Sequence, residues 1–383
     1  ALERANASAA RTVVLDESDE RNATIALTVD EIAPDVQTVC FVEDPSLADY
    51  LRYAGADRVL SPRELLGRSL ARNVVDTITS RLGEAVEIGD DYEIVEMPVQ
   101  YGSELDGRSL AYTGVLERED VNVVGAWFAG EFVGSIDPDR PLSRNTVLLV
   151  AGPDGALESF RKRTVAGRDR RDVERVIVAG YGEVGTAVRQ LLEQEDIDTR
   201  VVDLQDLPGV DVVGDAREEG TLRTAGIDES NALVLALADD TATVFSTLVA
   251  REASDEIEIL ARANETESIR KLYAAGADYV LALATVSGRM LAQTILDEDV
   301  MALDKQIDIV RTEAPAFVGQ TLSSADIRAK TGCTVVAVQR DGDVISNPGP
   351  TFRIRTGDAL VVVGEDTNIA RFNEAANVAA AAS

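Results

Sequence analysis

Residues 180–185 read Gly-Tyr-Gly-Glu-Val-Gly, a G-x-G-x-x-G pattern between the β-branched run VERVIVA (173–179) and TAVRQLLEQE (186–195), whose apolar residues recur at helical spacing. In that setting the chemistry is phosphate binding. Gly180 permits a tight turn, Gly182 lets the backbone approach a pyrophosphate, and Gly185 allows close packing of the following helix. Tyr181, Glu183 and Val184 complete the loop, and amides at the helix N-terminus face the phosphates. Asp203 closes the next apolar run, 18 positions after Gly185. Its carboxylate suits ribose hydroxyls and disfavours a 2′-phosphate, so NAD or an adenosine nucleotide is expected rather than NADP. The alternative, glycines kept for packing alone, stays open.

Composition removes other chemistries. The 383 residues contain no His, and Cys40 and Cys333 stand far apart without C-x-x-C spacing. That excludes the usual general base, Ser-His-Asp triads, imidazole metal ligands and a disulfide framework. No catalytic residue and no metal site are assigned. An excess of 68 acidic over 37 basic residues gives a net charge of -31. Such a surface repels nucleic acid and anionic lipid. With only four Lys (Lys162, Lys271, Lys305, Lys330) it resembles proteins of salt-loving organisms, in which high salt screens self-repulsion; an ordinary acidic protein is the alternative. No run approaches the roughly 18 apolar residues of a membrane span. The opening ALERANASAARTVV lacks an initiator Met and the pattern of a signal peptide, so the expectation is a chain that begins inside a longer polypeptide.

Several acidic and apolar features admit two readings. In LADDT (237–241), Asp239 and Asp240 either bind a cation or cap a helix. Asp297, Glu298 and Asp299 form a solvated helix end or a divalent-ion site. Trp127, the sole Trp, on a strand of the first C-terminal lobe, belongs to a core or a lobe interface, with a ligand box as the alternative.

These residues need a scaffold. Strands are expected at 173–180, 199–204, 210–214, 232–237, 256–263 and 278–283, separated by helical stretches such as ATVFSTLVAREA and TESIRKLYAAG. Alternation at this spacing predicts βαβ units and a parallel, doubly wound sheet covered on both faces. From about 306, alternating strands with Gly-Asp turns and one helix, SSADIRAKTG, predict a small α+β domain.

The first half repeats the second. Residues 51–60 match 272–281 at seven of ten positions with a shift of 221, and Gly67-Arg68 keeps that shift onto Gly288-Arg289. Residues 2–15 align with 222–235 at a shift of 220, which adds strands at about 12–15, 37–42 and 58–60 and an exposed sheet edge. Further on, Gly107, Leu110, Gly130 and Phe160 fall on Gly319, Leu322, Gly342 and Phe372, all at 212. The chain is read as a tandem duplication of a two-lobe unit, its first unit shortened at the N-terminal side. The expected divisions are 1–82, 83–165, 172–304 and 305–375, with a tail at 376–383. Linkers are expected at 83–90 and 161–172, and a lobe-joining helix at 286–304 whose Met290, Leu291, Ile295, Val300 and Leu303 face either a partner lobe or the core.

GYGEVG, then VVD, GDARE..TLRTAGI, LVLAL.DD, ILARAN and AGADYVL resemble, in that order, the N-lobe of the RCK (regulator of potassium conductance, TrkA-type) family. VGQTLSSADIRAKTGCTVVAVQRDGDVISNPGPTFRIRTGDALVVVG is similar to its C-lobe. The resemblance implies Rossmann-like N-lobes alternating with small α+β C-lobes. It implies a nucleotide cleft at Gly180, Gly182, Glu183, Val184 and Gly185, at Asp203, at Asp215 and Ala216, and at Arg262. Glu183 departs from the non-acidic residue that relatives commonly carry, so NAD(H), ADP or AMP is expected ahead of ATP unless a cation bridges; Arg262 either offsets that charge or makes a surface salt bridge. The implied function is a cytoplasmic gating module of a potassium channel or uptake transporter, held at the inner face of the membrane. Its implied partners are further copies of itself in a ring and a potassium pore, encoded upstream in the same chain or as a separate subunit. The competing readings are an NAD-dependent oxidoreductase, for which His is missing and Lys271 is the one Lys between 172 and 304, and a structural ring with permanently bound nucleotide.

Overall fold

The first short apolar runs form β1 (Thr12–Leu15), β2 (Gln37–Phe41) and β3 (Arg58–Leu60), a three-stranded parallel sheet in that order. In this computed structural model the described residues are 2, 6–79, 86–89, 92–113, 121–134, 136–165, 175–296, 308–346 and 348–377. β4 (Val86–Gly89), β5 (Tyr92–Pro98), β6 (Asn122–Phe128), β7 (Glu131–Val133) and β8 (Thr146–Gly152) make an antiparallel sheet ordered β4-β5-β8-β6-β7. β9 (Arg175–Ala179), β10 (Asp198–Asp203), β11 (Val212–Val213), β12 (Ala232–Leu235), β13 (Glu258–Ala263) and β14 (Tyr279–Ala282) form one parallel sheet ordered β11-β10-β9-β12-β13-β14. β15 (Asp308–Glu313), β16 (Thr334–Arg340), β17 (Asp343–Ser346) and β18 (Ala359–Gly364) form the last, antiparallel sheet, ordered β15-β18-β16-β17.

The six-stranded sheet is the doubly wound architecture expected from the alternation. β12 and β13 are buried along their whole length because helices cover both faces. Strand order reverses between β9 and β12, and the crevice outside the carboxyl ends of strands at such a switch point is where this architecture receives ligands.

The duplication reaches individual hydrogen bonds. β16 lies 212 positions after β6 at both ends, and both carry an irregularity at the same place, Val123/Gly125 and Val335/Ala337. The isolated bridges Ser109–Pro141 and Thr321–Arg353 obey the same shift. In the parallel sheets, Asp19 accepts from the amides of Glu43 and Asp44, each at 2.9 Å, as Asp240 does from Asn264 and Glu265 at 2.8 and 3.2 Å. Asp57 accepts from the Thr38 amide at 2.6 Å and Asp278 from that of Ile259 at 2.8 Å. Each carboxylate ties one strand-helix connection to its neighbour. Asp239 caps its helix by accepting from the Ala242 amide at 2.7 Å, so the LADDT pair serves caps and strand ends. The first sheet begins at the counterpart of β12, and β1 stands at its edge with Val14 exposed.

Two helices bind the units together. The first crossover helix, Pro62–Thr79, lies along the helix that follows the glycine loop, Glu183–Gln194. Leu66, Leu70 and Val74 share one apolar core with Val184, Val188 and Leu192. Gly67 makes this approach possible, since a Cβ there would sit 2.6 Å from the Val184 carbonyl oxygen. The same core runs on through Trp127 to Val336 and Val361, which places Trp127 at an interface between the two small sheets, its ring 5.0 Å from that of Phe132. Tyr279 donates to buried Glu96 at 3.0 Å, joining β14 to β5.

Some expectations change. The 83–90 linker contains β4, which pairs with β5, and the helix Asp154–Thr164 extends into the 161–172 linker because Arg161 and Thr164 are buried there. SSADIRAKTG forms two short helices, Leu322–Ala325 and Ile327–Thr331, broken at Asp326, whose φ is 50°. The joining helix is Leu283–Leu296, with Met290 packed against the shared core. The acidic run at 297–299, Val300, Leu303 and the tail beyond Asn377 lie outside the described residues.

Candidate functional site

β9 ends at Ala179, and Gly180 follows with φ 97°, a left-handed backbone suited to glycine. A Cβ at Gly180 would lie 2.8 Å from the Ala236 carbonyl oxygen, and one at Gly185 only 1.9 Å from the carbonyl oxygen of Gly180. The helix therefore starts pressed against its own turn. Gly182 is different: its chain neighbours aside, no heavy atom of the described residues lies within 4 Å of its Cβ position. The turn opens there onto free space. Gly182 is also the N-cap, and among the described residues no side chain caps the helix, whose first turn carries one acidic residue, Glu183, at the positive end of its dipole.

Asp203, at the carboxyl end of β10, is fixed by the same loop. One carboxylate oxygen accepts from the Tyr181 amide at 2.7 Å and the other from the Gln205 amide at 2.9 Å. Each oxygen keeps a lone pair for a further donor. The Tyr181 ring packs toward the Gly209 turn, its hydroxyl 3.5 Å from an Arg189 nitrogen, and Arg189 also donates to the Gly209 carbonyl. Asp215 sits just beyond β11, where the Gly214 amide donates to the Asp203 carbonyl at 2.9 Å. Arg217 grips Asp215 with two guanidinium nitrogens, at 3.0 and 2.6 Å, and holds its carboxyl below the usual carboxylate range. Ala216 is buried beside them.

Arg262 is the penultimate residue of β13, on the other side of the switch point. It is 7 % exposed, donates to Asn264, and its Nε has no hydrogen-bond partner among the described residues. Burial pushes its guanidinium below the ordinary arginine range; Arg63 adds to that, while Asp240 and Glu183 oppose it. Arg262 is therefore a buried cation beside the glycine loop, not a surface salt bridge. The residues read from sequence converge on the carboxyl ends of β9, β10, β11 and β13. The arrangement can hold an anion at the uncapped turn and accept hydrogen bonds from hydroxyls at Asp203. Among the described residues no group of three His, Cys, Asp or Glu side chains has the placement to hold a metal ion.

The TrkA-N domain model matches residues 1–62 and 176–283, and the TrkA-C domain model matches residues 308–377. A probable potassium channel protein 2 of Methanocaldococcus jannaschii is 29 % identical over 243 residues, covering 56 % of this chain and 71 % of that protein. Ktr system potassium uptake protein A of Bacillus subtilis is 30 % identical over 166 residues, 42 % of this chain and 74 % of its own length. The chain belongs to the RCK family. The crystal structure of the GsuK RCK domain superposes with a TM-score of 0.59 at 28 % identity, over 97 % of this chain and 81 % of that one. The GsuK channel bound to NAD gives 0.57 at 28 % identity, over 96 % and 67 %. The curated relatives are named as a potassium channel protein and a potassium uptake protein. No helix among the described residues is long and apolar enough to cross a membrane.

Within this RCK chain, sequence reasoning missed Arg63, Asn264 and Arg189. Asn264 had a local signal, since it lies two residues after Arg262 and holds its guanidinium. Arg63 had none, because it lies in the other unit and acts on Arg262 only through the packing of the first crossover helix on the glycine-loop helix and β13.

Proposed function

We propose that the chain is the nucleotide-binding regulatory part of a potassium channel or potassium uptake system. The observation that carries this reading is the open, uncapped turn at Gly182, set at the switch point beside the buried cation Arg262. Gly180, Tyr181, Gly182, Glu183, Val184 and Gly185 would surround the phosphates, Asp203 the ribose, and Asp215 with Ala216 the adenosine end. The NAD-bound relative GsuK supports NAD(H) or an adenosine nucleotide as the ligand. Glu183, exposed beside the phosphate turn, disfavours the terminal phosphate of ATP by like-charge repulsion.

The module works without a chemical step. Lys271, the one Lys between 172 and 304, is exposed on the helix Ile269–Ala275 and suits no hydride chemistry at the cleft. Residues 1–82 and 172–304 act as N-lobes and 83–165 and 305–375 as C-lobes. Copies assemble at the inner membrane face with a potassium pore, and the ligand shifts the assembly between states by its differential affinity, typically about 1–3 kcal/mol.

Calorimetric titration with NAD, ADP and ATP tests this. The wild type should bind NAD and ADP more tightly than ATP. Gly182→Asp, which has room to fold, should lose at least about a hundredfold by placing a carboxylate at the phosphate position. A wild type that binds none of the three, or a Gly182→Asp protein that binds them equally well, refutes the reading.

A further inference from the structure

The second unit's cleft has a wall made by the first unit. Leu66 of the first crossover helix shares a core with Val184 and Leu260, so this helix meets both the glycine-loop helix and β13, the strand that carries Arg262 near its end. Arg63 stands one turn before Gly67, the point of closest approach, on the same face of the helix. Its guanidinium is held by Glu43 at 2.7 Å and is about one-quarter exposed.

Two like charges near one buried site are costly, and Arg262 is more than nine-tenths buried with Nε lacking a hydrogen-bond partner among the described residues. Placing Arg63 nearby deepens that cost. Asp240 and Glu183 offset part of that cost, and an anion lying between the two guanidinium groups at the uncapped end of the glycine-loop helix would relieve the rest. The duplicated crossover helix offers no second copy, since the residue 221 positions after Arg63 is Ala284.

Resting on the nucleotide reading above, we propose that Arg63 of the first unit and Arg262 of the second form a two-cation receptor for the phosphates of the nucleotide on the glycine loop. Each tandem pair then has one composite site, and ligand binding draws Arg63 from Glu43, on the loop after β2. Occupancy of the second unit is thereby reported to the connections of the first.

The test is calorimetric titration of the full chain with ADP and with adenosine, on wild type, Arg63→Gln and Glu43→Gln. Arg63→Gln should weaken ADP roughly tenfold, the loss expected for one charge-assisted hydrogen bond, and leave adenosine unchanged. Glu43→Gln releases the competitor and should tighten ADP at least about twofold. Unchanged ADP affinity in a folded Arg63→Gln protein overturns the proposal. Should that variant unfold, an unchanged ADP affinity in Glu43→Gln overturns it instead. A wild type that fails to bind ADP and NAD refutes the nucleotide reading itself, whereas normal wild-type binding with unaffected variants refutes only the role of Arg63.

Discussion

Gly67 and Gly288 occupy the sixth position of their respective crossover helices, Pro62–Thr79 and Leu283–Leu296, and differ only in what surrounds them. Glycine inside a helix costs about 0.5–1 kcal/mol relative to alanine, so Gly→Ala at an unobstructed site stabilises by that amount. Gly288 is unobstructed among the described residues, with nothing outside its own helix backbone within 4 Å of a Cβ. At Gly67 the added methyl would lie 2.6 Å from the Val184 carbonyl oxygen and 2.8 Å from the Ala187 Cβ. The oxygen belongs to a helix backbone and cannot swing aside, so the two helices must separate. Overpacking of this kind costs about 1–3 kcal/mol. The helix-propensity gain is common to both variants and cancels in their comparison. Gly67→Ala should therefore be less stable than Gly288→Ala by about 1–3 kcal/mol. Urea unfolding followed by circular dichroism, with calorimetry alongside, measures that difference. A Gly67→Ala protein as stable as Gly288→Ala would show that the crossover helix does not seat on the glycine-loop helix, and would remove the basis for the composite site.

Asp358 accepts from Arg340 at 2.7 and 2.6 Å and from the Arg355 amide at 2.8 Å, and the Arg340 hydrogen bonds hold its carboxyl below the usual range. A carboxyl lowered by folding contributes stability above its unfolded value, near 3.9, and that contribution disappears as pH falls through the folded value. Asp358→Asn should lower the melting temperature by a few degrees at pH 7, and the gap to wild type should close below about pH 4; a gap independent of pH counts against the ion pair. Tyr279→Phe removes the hydroxyl that donates to buried Glu96 between β14 and β5, which should cost about 1–3 kcal/mol in chemical denaturation. A neutral result would mean that this bond does not join the units.

Local pattern and repetition made much of the molecule legible in advance. The glycine spacing at 180–185, with a β-branched strand before it and an amphipathic helix after it, specifies a turn that only a few residues can adopt, so Gly180 and Gly185 were readable from neighbours in the chain. Strand and helix periods placed β9 to β14, and constant shifts of 221 and 212 carried the second unit's elements onto the first. Asp203 followed because it closes the strand next to the glycine loop. Arg161 looked like part of a charged linker, yet its helix continues because burial against the first small sheet outweighs local composition. Gly67 looked like a repeat marker, and only the neighbouring helix shows why no side chain fits there. The pairing of Arg63 with Arg262 joins residues almost 200 positions apart with no shared period. Hydrogen bonding and side-chain alternation act over a few residues and leave a trace in order; the seating of one unit on another depends on shape and burial, and it is decided only when the chain packs.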